Sequence, residues 1–225
     1  MKLLAIETSG ERASIVLASG ERLYERQIES ARGQAEQILP LIDELLGEGE
    51  LTLRALDGIA FSRGPGSFTG VRIAAAIAQG LALGTGLPLL PVSSLAALAQ
   101  AAWRQGGVSL PVLVCVDAHM GEVYWAIYRP EGGLPVAAGG ERLTAPGAVT
   151  APDEPRWLAA GSGFRAHAAS LAPLAGSAAE VLAELKPSGR DLLPLAAADL
   201  EAGRVTAPAD ALPTYLRGDD AWRRR

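Results

Sequence analysis

The start of the chain carries short runs of strand-forming residues separated by polar turns. These runs are Leu3–Ile6, Ala13–Ala18 and Arg22–Ile28. Runs of this length that are bounded by turn residues, such as Ser19-Gly20, predict strands rather than helices. We therefore expect three sequential antiparallel strands at the start of the fold.

A helical period replaces the strand pattern from Gln34 to Leu46. Its apolar positions are Ile38, Leu39, Leu41, Ile42, Leu45 and Leu46. They form a stripe that is wider than a helix needs to cover one face of a sheet. Pro40 lies inside this helix and is expected to kink or restart it, whereas Gly47 is expected to end it.

Strands and helices alternate in the next segment. We predict a strand over 56–62, a helix over 68–83, a strand over 88–92 and a helix that ends at Trp103. Ser67 is the predicted N-cap of the helix over 68–83, which consists largely of small residues. The order β-β-β-α-β-α-β-α predicts a mixed sheet with helices packed on it.

A second strand pair, predicted over 112–116 and 122–128, has the same layout as the first pair. In both places an apolar strand ends at an acidic residue, Glu7 or Asp117, and a short turn leads into a second apolar strand. This layout indicates a diverged duplication.

The Gly106-Gly107 pair marks the expected boundary between two lobes, residues 1–105 and 106–225. The last segment is free to pack back on the first lobe. After Arg129 the chain is rich in Gly, Ala and Pro, and its pattern predicts no clear element before Pro213.

The composition excludes several classes of protein and of binding site. The 225 residues carry a formal net charge of −5, one Cys and two His. The whole chain is therefore not a basic nucleic-acid binder, it cannot form an internal disulfide, and it lacks a paired-His metal motif. The apolar start is too short for a signal peptide, and Gly, Pro and Ser interrupt the uncharged stretch 73–103. We expect a cytoplasmic protein that does not enter a membrane.

The Gly-rich turn Gly64–Gly70 lies between a predicted strand and a predicted helix, a position that suits phosphate binding. It lacks the Gly-Lys-Ser/Thr ending of a Walker A loop, and its third glycine comes one residue late for a dinucleotide fingerprint. A phosphate-binding loop and a tight structural turn both remain open at this point.

Acidic and hydroxyl side chains at the strand ends are the other candidates for chemistry. Glu7 and Asp117 have the positions of paired acids that hold a metal or transfer protons, although capping of a turn is the simpler interpretation. With Thr8 they are the candidate cofactor-binding residues. His119 and His167 fit ordinary surface or boundary positions better than ligand positions.

Several short segments follow one another in the order of a known family. They are Leu4-Ala5-Ile6-Glu7-Thr8-Ser9, Gln37-Ile38-Leu39-Pro40, Gly64 to Ile73 (GPGSFTGVRI), Val92-Ser93-Ser94-Leu95, Val116-Asp117-Ala118, Met120 to Trp125 (MGEVYW) and Pro213-Thr214-Tyr215-Leu216-Arg217. On these segments, which span nearly the whole chain, it resembles the bacterial TsaB family, also called YeaZ.

The resemblance implies an α/β fold of two ribonuclease-H-like lobes of the actin, heat-shock chaperone and sugar-kinase (ASKHA) type. It also implies a non-catalytic partner of TsaD in making N6-threonylcarbamoyladenosine at position 37 of tRNAs that read codons starting with A. TsaD carries the metal, so the chain is expected to have no metal or cofactor of its own. ATP is expected only at the complex with TsaD and the further partner TsaE, and tRNA only through that complex.

The same resemblance suggests a role for the wide apolar stripe and for the small-residue helix. We expect these two helices to form an interface with TsaD, or with a second copy of the chain when TsaD is absent. The expected interface residues are Gln34, Ile38, Leu41, Ile42, Leu45, Phe68, Arg72, Ala75 and Ala76.

Three positions depart from the family pattern. Glu7 stands where the family has Asp, Gln34 where it commonly has His, and His119 where it commonly has Arg. These departures argue against a required catalytic role for the three positions in this chain.

Two other function classes remain. A phosphotransferase of the same fold class could use Glu7, Asp117 and the turn Gly161-Ser162-Gly163. A metallopeptidase needs clustered ligands, and two distant His without a His-x-x-x-His spacing fit this class poorly.

Overall fold

The computed structural model describes residues 1–29, 33–107 and 109–217. The chain divides into two compact units: unit 1 comprises Met1–Ala97 and Pro187–Pro213, and unit 2 comprises Leu98–Lys186 with the segment from Thr214. The division lies inside a helix, at residues 97 and 98, and not after residue 105. The Gly106-Gly107 pair ends that helix, and a later segment returns to unit 1.

The elements are named in chain order. The first eight are β1 (Lys2–Glu7), β2 (Ala13–Ser19), β3 (Arg22–Ile28), α1 (Gln34–Glu48), β4 (Gly58–Gly64), α2 (Phe68–Thr85), β5 (Leu89–Ser93) and α3 (Ser94–Gly106). The others are β6 (Val112–Asp117), β7 (Val123–Glu131), β8 (Leu134–Ala137), β9 (Arg142–Thr144), β10 (Leu158–Ala160), α4 (Gly163–Ala166), α5 (Ala168–Ser177), β11 (Glu180–Leu182) and α6 (Gly189–Glu201).

The sheet of unit 1 has the strand order β3-β2-β1-β4-β5. Strand β1 pairs antiparallel with β2 and parallel with β4, so that Ile6 lies beside Ile15 and Phe61. Successive side chains of a strand point to opposite faces. Ile6 therefore packs in the cluster that includes the buried side of α1, and Ala5 in the cluster that includes α6. Burial on both faces explains the unbroken apolar run of β1.

The sheet of unit 2 has the order β11-β10-β6-β7-β8, and β9 pairs with β7. Strand β6 is antiparallel to β7 and parallel to β10, which is parallel to β11. Its core includes Leu113, Cys115, Trp125, Trp157 and Phe164.

The two sheets repeat one topology. Strands β6, β7, β8, β10 and β11 of unit 2 correspond in order and direction to β1, β2, β3, β4 and β5 of unit 1. This is the strand arrangement of a ribonuclease-H-like lobe, so the predicted fold class is confirmed. The repeated topology agrees with the duplication that the sequence suggests.

Helix α1 differs from its prediction in two respects. It continues through Pro40 and Gly47 to Glu48, and Gly49 caps it. Ile38 and Leu45 are buried in the core of unit 1. Packing of this apolar stripe on the sheet stabilises the helix by more than Pro40 and Gly47, which both have low helix propensity, destabilise it.

Helix α2 has 18 residues and a mean hydropathy of 1.2, so by length and composition alone it could cross a membrane. One side of it is part of the protein core, because Ala74, Ala75, Ala78 and Ala82 are buried there. Small side chains let this helix approach the sheet closely. The absence of a membrane span stays a prediction from the sequence.

Candidate functional site

The Gly-rich turn Gly64–Gly70 lies directly against the residues that follow β1. The Thr8 hydroxyl donates a 2.7 Å hydrogen bond to the Gly70 carbonyl. A Cβ atom on Gly70 would lie 1.8 Å from the Thr8 carbonyl oxygen, and one on Gly66 would lie 2.6 Å from that of Ser9. Neighbouring backbone fills the space beside both glycines, so the contacts favour a tight structural turn over a phosphate-binding loop.

The second glycine turn, Gly161-Ser162-Gly163, also packs closely. A Cβ on Gly161 would lie 2.5 Å from the Cys115 carbonyl oxygen, and one on Gly163 would lie 2.7 Å from Cys115 Sγ. The Ser162 hydroxyl accepts a 3.1 Å hydrogen bond from the Asp117 amide. This turn therefore joins the end of β10 to the end of β6.

Glu7 is fully buried at the end of β1. One carboxyl oxygen accepts a 2.6 Å hydrogen bond from the Ser9 amide, and the other, Oε2, has no hydrogen-bond partner. Loss of hydration raises the pKa of Glu7 to about 7, because the contacts with Ser9 and Ser62 offset the effect only in part and the Asp191 charge adds to it. Glu7 is therefore a buried acid that is largely protonated below neutral pH.

Asp117, at the end of β6, accepts a 3.0 Å hydrogen bond from the His119 amide, just as Glu7 does from Ser9. It also contacts both histidines of the chain: His167 Nε2 lies 2.9 Å from Oδ1, and His119 Nδ1 lies 3.3 Å from Oδ2. Partial burial acts to raise the pKa of Asp117, but the His167 hydrogen bond and the contacts with His119 outweigh it and lower the pKa. The two equivalent acids have diverged, since one is buried and the other contacts two histidines.

The prediction that the histidines are ordinary surface or boundary residues missed this pairing. His119 and His167 are 48 positions apart, and only the folded unit brings them to one carboxylate. Within the ranges 1–29, 33–107 and 109–217, no group of three or more His, Cys, Asp or Glu side chains is arranged to hold a metal.

We expect Asp117→Asn to lower the free energy of unfolding by about 1.5–3 kcal/mol at neutral pH, the range for hydrogen bonds to charged groups. The pKa of Asp117 is lowered in the folded state, so its stabilisation is present above the usual carboxyl pKa. It is lost as the pH falls through the folded value. Urea unfolding at several pH values measures the difference, which should shrink on acidification.

The matched control is His119→Ala, because that imidazole is 90% exposed and should contribute little. A deficit of Asp117→Asn that is the same at every pH would contradict a charged contact with His167.

The structure separates the predicted interface residues into two groups. Gln34, Ile38, Ile42, Leu45 and Ala75 are buried inside unit 1, at most 3% exposed. They hold α1 and α2 on the sheet and cannot face a partner directly, because a helix presents its stripe to one side only.

The other predicted residues lie nearer the surface. Phe68 is 50% exposed, Ala76 is exposed, and Leu41 and Arg72 are half-buried. The Arg72 guanidinium lies 3.3 Å from the centre of the Phe68 ring and donates a 2.8 Å hydrogen bond to the Phe68 carbonyl. This stacking fixes the Phe68 side chain at the start of α2.

An open groove of about 320 Å³ lies between α1 and α2. Its lining residues are Ala35, Phe68, Thr69, Arg72, Ile73, Ala76 and Ile77. Ala35, Thr69, Ile73 and Ile77 were missed by the sequence prediction, which followed the most apolar stripe. Their positions on the helices, next to the most apolar stripe, are the sequence feature that could have indicated them.

Comparisons with known proteins identify the family of this chain. The family model "TsaD: tRNA N6-adenosine threonylcarbamoyltransferase" matches residues 9–199. The tRNA threonylcarbamoyladenosine biosynthesis protein TsaB of Escherichia coli K12 is 37% identical, over 100% of this chain and 98% of the relative. The chain belongs to the TsaB family. The TsaB of Bacillus subtilis 168 is 32% identical over 60% of this chain and 58% of its own length.

A solved structure extends the agreement from sequence to fold. The structure described as YeaZ from Pseudomonas aeruginosa has a TM-score of 0.86 and 38% identity, covering 96% of this chain and 99% of that one. A second structure, of an uncharacterized protein from the same organism with similarity to peptidase YEAZ, has a TM-score of 0.87 and 38% identity over the same shares. As a TsaB-family protein, this chain belongs to tRNA threonylcarbamoyladenosine biosynthesis.

The three departures from the TsaB pattern have structural accounts. Glu7 reaches the Ser9 amide within the protein core, and Gln34 is buried and donates a 3.4 Å hydrogen bond to the Glu11 carbonyl. His119 is the exposed second contact of Asp117. None of the three side chains disturbs the strand pairing around it.

Proposed function

We propose that this TsaB-family chain is a non-catalytic partner of TsaD in the synthesis of N6-threonylcarbamoyladenosine at position 37 of tRNAs that read codons starting with A. The observation that carries the proposal is the apolar groove between α1 and α2. Its Phe68 ring is 50% exposed and is already held in place by Arg72.

Further apolar side chains lie on the same two helices. Leu39 on α1 is 50% exposed, and Leu83 on α2 is 77% exposed. Neither residue lines the groove, so the groove, where apolar side chains adjoin one another, is the contact surface that we propose. TsaD is the occupant we propose, with a second copy of the chain in its place when TsaD is absent.

The contacts at the strand ends support a non-catalytic role. Thr8 and Gly70 bond to each other, and Glu7 is buried beneath Ser9. These residues would have to leave their present contacts to hold a nucleotide as an ASKHA phosphotransferase does. We propose that the chain has no cofactor of its own, and that ATP binds only at the complex with TsaD and TsaE. Calorimetric titration of ATP into the lone chain tests this, because tight binding would contradict it.

The remaining assignments follow from the same proposal. The chain carries a net charge of −5, so we propose that tRNA is bound through the TsaD complex and not by this subunit alone. The complex would act in the cytoplasm. Reconstitution of tRNA modification without this chain should give far less product, and equal product would refute the proposed function.

Ala76→Glu tests the groove directly. Ala76 is exposed on α2 and lines the groove, so the change should leave the isolated chain folded. In the complex it would bury a carboxylate at the contact, and the nearby Arg72 guanidinium is already stacked on the Phe68 ring. We therefore expect TsaD binding to weaken by at least about tenfold. Calorimetry with purified TsaD measures the loss.

Ala169→Glu is the matched control, because Ala169 is exposed on α5 and lies outside the groove. It should bind TsaD as the unchanged chain does. If Ala76→Glu binds equally well, the groove is not the contact. Ala75→Glu is unsuitable as a test, because Ala75 is 3% exposed and its substitution would disturb folding.

A further inference from the structure

The turn between β6 and β7 holds two consecutive side chains in the left-handed backbone region. His119 and Met120 have φ values of 59° and 56°, and Gly121 follows with 77°. In this region the Cβ atom crowds the backbone, at a cost of about 1–2 kcal/mol per residue. Other contacts must therefore stabilise the turn.

Arg217 makes several of those contacts. Its side chain is 12% exposed and pairs with Glu122 Oε2 at 2.8 Å. Nη2 donates a 2.9 Å hydrogen bond to the Ala118 carbonyl, and Nη1 donates to the Met120 sulfur. A planar guanidinium presents its donors in a fixed geometry, so a shift at one contact is transmitted to the others. We call this set the Arg217 clamp.

The Met120 sulfur is far more accessible than the thiol of the chain. Met120 is 71% exposed, whereas Cys115 is fully buried. Burial, followed by the Asp117 charge, raises the pKa of the Cys115 thiol to about 12, so very little reactive thiolate is present at neutral pH. An oxidant that arrives from solvent therefore meets the Met120 thioether before the Cys115 thiol.

We propose that Met120 is a reversible oxidation site whose sulfoxide loosens the Arg217 clamp on the β6–β7 turn. The oxidant is a peroxide such as hydrogen peroxide. The thioether sulfur attacks one peroxide oxygen, the O–O bond breaks, and the other oxygen leaves as water with both hydrogens. Sulfur is oxidised by two electrons, peroxide is reduced by two, and the products are methionine sulfoxide and water.

The added oxygen changes the clamp geometrically. When it adds to the sulfur lone pair that faces the guanidinium, it lies between the two groups, and we expect Arg217 to move back by about the length of an S–O bond. That movement draws its other donors away from Ala118 and Glu122. The turn is closed by hydrogen bonds from the Ala118 amide to the Glu122 carbonyl, at 3.0 Å, and from the Glu122 amide to the His119 carbonyl, at 3.1 Å. Both should open more often after oxidation.

Hydrogen exchange on the full-length protein tests the proposal. After peroxide treatment, mass spectrometry should find one added oxygen on the peptide that contains Met120, while Cys115 still reacts with a thiol reagent after unfolding. The amides of Ala118 and Glu122 should exchange severalfold faster. Treatment with methionine sulfoxide reductase should restore the original exchange rates.

Two variants control the experiment. Met120→Leu keeps an apolar side chain that cannot take up oxygen, so peroxide should leave its exchange unchanged. Arg217→Lys removes the planar fork and should speed exchange at the same amides without peroxide. Oxidation of Cys115 before Met120, or an oxidised Met120 with unchanged exchange at Ala118 and Glu122, would overturn the proposal.

Discussion

Gly70→Ala should destabilise the protein by at least about 3 kcal/mol, the upper range for inserting atoms into a packed site. The new methyl group would lie 1.8 Å from the Thr8 carbonyl oxygen, far inside van der Waals contact. That oxygen belongs to backbone at the end of a central strand, so it cannot rotate away as a side chain could. The Thr8 hydroxyl would also lose its bond to the Gly70 carbonyl. Chemical denaturation at low protein concentration measures the change.

Gly80→Ala is the matched control on the same helix. A Cβ atom on Gly80 would have no neighbouring atom within 4 Å. The substitution therefore gains the higher helix propensity of Ala over Gly, about 1 kcal/mol. The two variants should therefore shift stability in opposite directions. A Gly70→Ala protein as stable as the unchanged chain would show that the turn has room for a side chain.

Glu7→Gln should remove a pH dependence of stability that the unchanged protein shows between about pH 4.5 and pH 7. The pKa of Glu7 is raised from 4.5 to about 7 on folding, chiefly by burial. Across this interval the unfolded chain has released the Glu7 proton while the folded chain keeps it. The stability that depends on Glu7 protonation is therefore fully present below pH 4.5. It falls as the pH rises through this window and reaches a plateau above the pKa of Glu7 in the folded state.

The size of the effect follows from the shift. A rise of the Glu7 pKa from 4.5 to about 7 corresponds to a decrease in the free energy of unfolding on the order of 3 kcal/mol between these pH values. The stability of Glu7→Gln minus that of the unchanged chain should rise by this amount from pH 4.5 to above pH 7. Urea unfolding at stepped pH values measures the difference curve.

Glu21→Gln provides the control, because it removes the same type of charge from an exposed position in the β2–β3 turn. A flat difference curve for Glu7→Gln would mean that Glu7 is ionised in the folded protein across the window. The opposite sign expected for Asp117→Asn, whose deficit grows with pH, makes the two equivalent acids distinguishable in one set of experiments.

Much of the first half of the fold followed from local pattern. Strand β3 was predicted with its observed bounds, and the Ser67 cap of α2 is present, with the Ser67 hydroxyl accepting a hydrogen bond from the Gly70 amide. The predictions failed after Arg129, where the helices α5 and α6 were missed and where β9, β10 and β11 have three residues each. Runs of that length are too short to establish a period, so only pairing with longer strands defines them.

The candidate site was predicted less completely than the fold. Helical periodicity identified α1 and α2 correctly, but it could not separate the face that packs on the sheet from the face that remains open. Ile38 and Ala75 carry the apolar pattern and are buried, whereas Ala76, one position further on, lines the groove. The direction of each side chain depends on where the sheet lies, which a single helix does not encode.

The sequence alone determined the family, the repeated lobe and the placement of acidic residues at two strand ends, because these depend on local motifs and their order. The tertiary structure alone decided that Glu7 is buried, that Asp117 holds both histidines, and that Arg217 clamps a turn 97 residues earlier. Burial, pKa and long-range contact are set by neighbours distant along the chain, and no local pattern specifies those neighbours.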